Sequence, residues 1–409
     1  MSTTGLATAS PRLISLFTGV GGLDYGFEQA GFETAVALEV DAACCANVRK
    51  NRDWSLIERD IHQTTTAEIL EAAGLEARSV DVLIGGPPCQ PFSKSGYWAS
   101  GDAKRLEDPR ADTLDAYLRI LREALPKTFL IENVPGLAFK GKSEGLERIQ
   151  AEINEINKSE GVNYRLSVKV LNAADYGAPQ LRERIVIIGD REGRTFTFPE
   201  PKHGSSEDLL RHHSTWDAIG DLPEAPNEAG LKITGKWADL LPTIPEGQNY
   251  LWHTDRGDGH PLFGWRRRYW NFLLKLAKDR PSWTIQAQPG SATGPFHWNN
   301  RKLSARELCR LQTFPDDVVL SGSRNEIQRM IGNAVPSVLA EVLAWEIRSQ
   351  LLGLEGRPEK YALEPPFRDD CPAPETLAKL PAKFRSLIGE HEAHPGKGKG
   401  NAAKNRRAA

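Results

Sequence analysis

Cysteine patterns that make disulfides or bind metal are missing from this chain. The five cysteines, Cys44, Cys45, Cys89, Cys309 and Cys371, are odd in number and scattered, with no CxxC pair. That excludes a disulfide framework and a thiolate zinc site, and it points to a reducing compartment. His212 and His213 are adjacent, which is not ligand spacing, so no metal is expected. No stretch approaches about 18 uninterrupted apolar residues, the length a membrane span needs. The opening MSTTGLATASPR has no apolar core of signal-peptide length. No membrane association or export is expected, and a cytoplasmic location is. Charge of one sign is lacking too: the net charge of −2 gives no hint of a polyanionic partner.

What is present is enough for two domains. The chain has 409 residues, 40% of them apolar and 8% aromatic, which suffices to build real cores. From residue 12 to about 198, short apolar runs bounded by Gly or Pro alternate with helix-like stretches. The runs are LISLF (13–17), TAVALEV (34–40), VDVLIGG (80–86), TFLIENV (128–134), YRLSVKVL (164–171) and RIVIIG (184–189). Such alternation predicts an α/β layer with a mostly parallel, Rossmann-like sheet. LDYGFEQAG, TLDAYLRILREAL and EGLERIQAEINEIN carry apolar residues at helical spacing.

The texture changes at 199–300, which holds seven of the ten tryptophans and reads as a second, smaller, irregular domain. Within it and just beyond, from Gly259 to Lys302, eight Lys/Arg face one acid, Asp279. A local basic stretch of this kind outweighs the neutral total. Regularity returns over 301–352, where Ser304 and Glu307 are spaced as a capping box. A last helix is expected over roughly 335–352. Residues 1–11 and the Pro-rich, then basic, 353–409 are expected to be disordered.

Four constellations carry chemistry. Glycines directly after a strand, in LISLFTGVGGLDYGF, let backbone N–H groups approach a ligand, and Glu39 at the next strand's end suits ribose hydroxyls. Asp24 stands where a dinucleotide fingerprint needs its third glycine, so a nucleoside is favoured over NAD. GGPPCQPFS (85–93) presents Cys89 from a loop past a strand's carboxyl end, the side that faces the crevice of an open α/β sheet. Cys44, Cys45 and Cys309 lie in helix-like apolar patterns and read as structural. Glu132 and Asn133 end the strand TFLI beside that loop. In QLRERIVIIG (180–189), alternation puts Gln180, Arg182 and Arg184 on one face, suited to a carbonyl oxygen or phosphate, with an edge-strand salt bridge as the alternative.

In this order the four elements resemble the C5-cytosine-specific DNA methyltransferase family of bacterial restriction-modification type. FTGVGGLDYGF is similar to its cofactor motif, implying contacts from Phe17, Gly19, Gly21, Gly22 and Leu23. Glu39 with Val40 resembles the ribose acid and its neighbour, and Asp60-Ile61 the adenine-contacting pair. GGPPCQPFS looks like the catalytic Pro-Cys motif, implying Pro87 at the cofactor and Cys89, Gln90 and Ser93 in catalysis. DPRADTLDAYLRIL, carrying Leu114, matches the short motif that follows. ENV (Glu132, Asn133), NAADYGAPQLRERIVIIG (Arg182, Arg184), RKLSARELCRLQTFPDD and IGNAVPSVLAEVLA (Asn333, Val335) look like later motifs. About 300 residues are covered, leaving 200–280 and the tail unmatched.

The resemblance implies an S-adenosyl-L-methionine-dependent methyltransferase sheet carrying a target-recognition domain at 199–300, with 301–352 returning to complete the catalytic domain. It implies a monomer acting on double-stranded DNA in the cytoplasm near the nucleoid, with a functionally paired restriction endonuclease as a partner the family allows. By implication Cys89 adds to C6 of a flipped cytosine, Glu132 holds N3 and the amine, and Arg184 holds O2. The loop from Pro87 to about Asp108 would close as a lid, and Arg266, Arg267, Arg268 and Arg280 would contact phosphates. Two alternatives differ in substrate or class: a transfer-RNA cytosine C5 methyltransferase, and a catalytically weak DNA-binding member of the fold.

Overall fold

The computed structural model describes residues 10–88, 112–138, 144–224, 226–264 and 270–391. Strands β1 (Arg12–Leu16), β2 (Glu33–Glu39), β3 (Leu56–Glu58), β4 (Val82–Gly85) and β5 (Thr128–Asn133) run parallel, and β8 (Glu183–Asp190) is antiparallel to both its neighbours, β5 and β6 (Arg165–Asn172). The seven lie in the order β3-β2-β1-β4-β5-β8-β6. Central strands β4 and β5 are buried along their whole length, as expected where helices cover both faces. Chain order reverses between β1 and β4. At such a switch point the loops after the two strands diverge and leave a crevice at their carboxyl ends.

Two cores sandwich this sheet. On one face α3 (Thr66–Ala73), α4 (Asp112–Ala124) and α5 (Glu144–Glu160) pack over Ile14, Val36, Leu83 and Ile131. On the other, α1 (Gly22–Gln29) and α9 (Ser337–Gln350) pack over Leu13, Val82, Leu130 and Val186. Gly26 permits the α1–α9 contact, since a Cβ there would sit 2.4 Å from the Glu341 backbone nitrogen. The return segment thus completes the first layer. Its α7 (Ala305–Leu311) begins with the expected capping box of Ser304 and Glu307. An α8 (Arg324–Asn333) that sequence periodicity does not announce begins with a second box, Ser323 with Glu326.

The region from 199 onwards divides. Helix α6 (Thr215–Ile219) joins α7 and α8 in one cluster with Trp298, whereas Ile233, Leu240, Tyr250, Leu273 and Phe296 form a lobe with its own core. Described tryptophans of this region are mostly half-buried members of these clusters, with Trp270 the exception at 50% exposure.

Residues 353–391 correct the expectation of a disordered tail. Tyr361 and Phe384 are buried, Glu341 accepts hydrogen bonds from the Ala362 and Leu363 nitrogens (2.7 and 2.9 Å), and Lys278 ties Glu375 to Glu246. A low-apolarity segment holds its place because a few large side chains fill gaps already lined by the folded lobes.

Candidate active site

Register brings the chemistry to one edge. Leu16 lies opposite Leu38 and Gly85, and Gly85 opposite Ile131, so the turn after β1, Glu39, the loop after β4 and Glu132 emerge side by side. Phe17 (φ 55°), Gly19 (φ 57°) and Gly21 (φ 88°) all adopt left-handed backbone. For Phe17 that conformation is strained, and such strain persists only where the surroundings impose it. Glu39 closes the turn: its carboxylate accepts from Gly19 N (2.7 Å), Val40 N (2.9 Å) and Asp41 N (2.8 Å). Of roughly four acceptor sites on a carboxylate, these bonds leave one for a ligand hydroxyl. Beside it Val40 is 64% exposed, unusual for an aliphatic side chain at a sheet edge.

The neighbouring pieces fit around this turn. Asp60 caps the short helix Ile61–Gln63 and bonds His62 at both N and Nδ1, contacts that hold its carboxyl below the ordinary range, while Ile61 points into the core. Leu23 and Leu114 are buried core residues. Val335 returns against the turn, its carbonyl oxygen 2.7 Å from where a Cβ on Gly22 would lie, so glycine is required there. Asn333 ends α8 and is exposed. Asp24, in the first turn of α1, is fully buried against β1 and β2. Burial pushes its carboxyl up to about 7, although Ser15 and Thr34 are near enough to draw it down.

At the other side of the crevice Glu132 and Arg184 form an ion pair, Nε to Oε1 at 2.6 Å, with only 10% and 12% of their side chains exposed. Glu132 pairs with Val186 in the antiparallel ladder, and a residue two positions along is the diagonal neighbour on the same face, within reach of a long side chain. Gly86 gives the Glu132 carboxylate room, since a Cβ there would stand 3.0 Å from Oε2. Buried Asn133 donates from Nδ2 to the Pro87 carbonyl (3.2 Å), tying down the loop that leads to Cys89. Tyr117 of α4 bridges the Leu83 and Leu130 carbonyls (3.1 Å each) and locks β4 to β5 beneath it. The sequence patterns revealed neither the Gly86 nor the Tyr117 contribution.

The expected convergence of Gln180, Arg182 and Arg184 does not occur. The ladder breaks at Arg182, between β7 (Gln180–Leu181) and β8. Arg182 is buried and donates to the Ile285 (3.3 Å) and Gly332 (2.8 Å) carbonyls, and Gln180 bonds Gln312. Arg182 thus ties the start of β8 to Ile285 and α8, and Gln180 ties β7 to the end of α7. Burial, reinforced by Arg184, depresses the Arg182 pKa.

Cys89, Gln90, Ser93 and the suggested lid lie outside the described residues, as do Arg266, Arg267 and Arg268. The remaining cysteines of the apolar patterns are buried, and burial raises all three thiols, Cys45 and Cys309 to about 12. Among the described residues of the basic stretch, Lys278 and Arg301 are neutralised by acids from elsewhere and Arg280 by the stretch's own Asp279. Lys278 lies between Glu246 and Glu375, Arg301 forks onto Glu307, Arg280 onto Asp279, and burial pushes Lys275 down to about 8. Counting charges along the chain missed Glu246, Glu307 and Glu375, which only folding brings near.

A glycine turn closed by Glu39 at a sheet switch point, with the Glu132–Arg184 pair on the same edge, suits an α/β enzyme of methyltransferase type. The chain belongs to the C-5 cytosine-specific DNA methylase family, whose model matches residues 11–349; it is a DNA cytosine-5 methyltransferase. It is 41% identical over 376 residues to the Type II methyltransferase M.SacI of Streptomyces achromogenes, covering 84% of this chain and 94% of that one. It is 44% identical over 245 residues to M.AquIA of Picosynechococcus, covering 56% and 97%. Among solved structures, a DNA modification methyltransferase encoded within an E. coli prophage superposes with a TM-score of 0.59 at 22% identity, over 84% of this chain and all of that one. A DNMT2 from Spodoptera frugiperda gives 0.57 at 16%, over 83% and 99%. At these identities the likeness shows the fold, that of S-adenosylmethionine-dependent methyltransferases.

Proposed function

We propose that the enzyme methylates C5 of a cytosine turned out of a specific double-stranded DNA sequence, through a transient bond between Cys89 and C6. The Glu132–Arg184 pair, held against the Gly86–Pro87 loop that leads to Cys89, carries this reading. S-adenosyl-L-methionine, when bound, supplies an electrophilic methyl group. The residues present fit it: Glu39 for a ribose hydroxyl, the Phe17–Gly22 turn for backbone contacts, exposed Val40 and Asp60 for the base, with Leu23, Ile61, Pro87, Leu114, Asn333 and Val335 shaping the walls.

The chain's own residues do the rest. C5 of cytosine is a poor nucleophile, and addition of the Cys89 thiolate to C6 makes C5 electron-rich. Glu132 accepts hydrogen bonds from protonated N3 and from the exocyclic amine and so draws electrons from C6 as the sulfur adds. Arg184, already paired with Glu132, orients that carboxylate and holds O2. C5 takes the methyl group, and loss of its proton to solvent then expels the Cys89 thiolate and restores the ring. Arg182 and Asn133 act by position, Arg182 joining β8 to α8 and Asn133 fixing Pro87. Gln90 and Ser93, next to Cys89, contact the extruded nucleotide.

A stacked base is out of reach of this edge, and turning it out costs a few kcal/mol that DNA contacts must offset. Arg266, Arg267, Arg268 and, once released from Asp279, Arg280 bind phosphates, flanking the exposed Trp270. The enzyme works as a monomer in the cytoplasm on nucleoid DNA, alongside a restriction endonuclease of matching specificity. Bisulfite sequencing of DNA from cells expressing the protein tests this reading. One short motif should become protected in cells with the parent enzyme and in none with Cys89→Ser. Equal patterns in the two, or methyl transfer to RNA in preference to duplex DNA, would refute it.

A further inference from the structure

Outside the catalytic edge, two imidazoles and a carboxylate meet from three separate stretches of chain. His203 lies where the chain leaves the first domain, His213 just before the Ser214 cap of α6, and Glu364 on the C-terminal segment. Nε2 of His203 and Nε2 of His213 lie 3.2 and 3.0 Å from the same oxygen, Oε1 of Glu364. All three atoms fall within 4.8 Å of one another, and among the described residues this is the one such group. The side chains are 1%, 1% and 9% exposed, and Phe367 stacks on His213 with ring centroids 4.1 Å apart.

Hydrogen bonds can satisfy His203, which when doubly protonated donates to both the Arg211 carbonyl and Glu364, but they leave His213 open. Nδ1 of His203 is 3.0 Å from the Arg211 carbonyl, which only accepts, so Nδ1 carries a proton. In a neutral ring, Nε2 then aims a lone pair at a carboxylate oxygen. His213 presents the complementary problem. If its Nε2 donates to Glu364, its buried Nδ1 is left as a bare acceptor, without a hydrogen-bond partner, 3.8 Å from the Asp217 carboxylate. A cation among the three atoms gives both Nε2 lone pairs a partner, and a small turn of His213 would bring its Nδ1, now 3.8 Å from the Asp217 carboxylate, within hydrogen-bond reach. Each Nε2 becomes a ligand, His203 Nδ1–H donates to the Arg211 carbonyl, and His213 Nδ1–H faces Asp217. Backing of a ligand imidazole by a carbonyl or carboxylate is the usual outer shell of a metal site. Asp217 is itself fixed by Arg211, by Ser214 N (2.7 Å) and by Arg368 N (2.7 Å).

We propose that His203 Nε2, His213 Nε2 and Glu364 Oε1 bind one divalent transition metal of the zinc class, which clasps the C-terminal segment to the entrance of the target region. Neutral imidazoles with one carboxylate suit zinc and its neighbours, whereas calcium and magnesium want oxygen donors throughout. Tetrahedral zinc with bonds of about 2.0–2.1 Å places its ligand atoms about 3.3–3.4 Å apart, a few tenths beyond the 3.2 and 3.0 Å found here. Small side-chain rotations open the space, and water completes the fourth position. Adjacent His212 takes no part and pairs with Asp175 instead (2.9 Å), which is why spacing along the sequence concealed the site.

The untagged full-length protein, stripped with chelator and passed through a desalting column, should take up one equivalent of zinc per chain. Cobalt in its place should give the intense visible bands of a four-coordinate ion. X-ray absorption of the zinc-loaded parent should show nitrogen and oxygen donors only, with two imidazoles, and this measurement needs no variant to fold. Glu364→Gln and His203→Asn should lower zinc affinity at least tenfold. Failure of the stripped but folded parent to bind stoichiometric zinc, sulfur in its coordination sphere, or unchanged uptake by folded Glu364→Gln would overturn the proposal.

Discussion

Glu132 and Arg184 stand 2.6 Å apart on two antiparallel strands, nine-tenths hidden from solvent. Neither charge would survive there alone, because a nearly buried carboxylate without its partner loses far more than an exposed pair could supply. The pair therefore pre-sets the orientation of the group expected to grip the cytosine.

Replacement of Glu132 by Gln should keep the shape and remove the anion. The methyl-transfer rate is expected to fall at least about 100-fold, with DNA affinity altered by less than threefold. Single-turnover assays beside binding titrations check this, and a loss confined to binding would contradict it. Arg184→Ala should also destabilise the fold, by about 3 kcal/mol, as read by chemical denaturation.

Glu39 holds the Gly19 amide, and its remaining lone pair is the one proposed to meet a ribose hydroxyl. Loss of a charged hydrogen-bond acceptor costs about 1.5–3 kcal/mol. Glu39→Ala is thus expected to weaken S-adenosylmethionine binding by roughly 10- to 100-fold in calorimetric titration. Unchanged affinity would remove Glu39 from the cofactor site.

Asp24 makes stability depend on pH. Its folded pKa, about 7, lies above the unfolded value near 4 because burial penalises the charged form. The raised value means that the folded state holds the proton more tightly. Stability from this group is complete below about pH 4 and is lost as pH rises towards 7, by up to about 4 kcal/mol. Asp24→Asn should flatten the decline across that window and be the more stable protein at pH 8. Parallel slopes for parent and variant would contradict this.

Phe384 stacks on Trp237, their rings 5.8 Å apart at 13°, and is 2% exposed. Phe384→Ala should cost the lobe built around Leu240 and Tyr250 about 3 kcal/mol and expose residues 353–391 to limited proteolysis. A cost below about 1 kcal/mol would return this segment to the status of an unanchored tail.

Local patterns were the legible part of this protein. Six of the seven sheet strands, the helices α1, α4, α5, α7 and α9, and the meeting of the Phe17 turn, Glu39 and Glu132 at one edge could all be read from periodicity and Gly/Pro punctuation. Strand β3 escaped because three half-exposed residues carry no periodic signal. Helix α8 escaped because RNEIQRMIGN is largely polar and only its cap marks it. What no local pattern contains is long-range pairing. Lys278 counted towards the basic stretch until Glu246 and Glu375 arrived from 32 and 97 residues away. Arg182 looked catalytic until the strand broke beside it, and His213 looked idle until Glu364 came from the far end.

The most direct test of the central claim is covalent capture on duplex DNA carrying 5-fluorocytosine at the methylated site. Fluorine at C5 cannot leave as a proton does, so an adduct formed during methyl transfer persists. With S-adenosylmethionine present, the parent enzyme should give a denaturation-stable complex whose linked peptide, read by mass spectrometry, carries the nucleotide on Cys89, and Cys89→Ser should give none. A cross-link at another residue, or methylated DNA from an enzyme that leaves no adduct, would contradict the account.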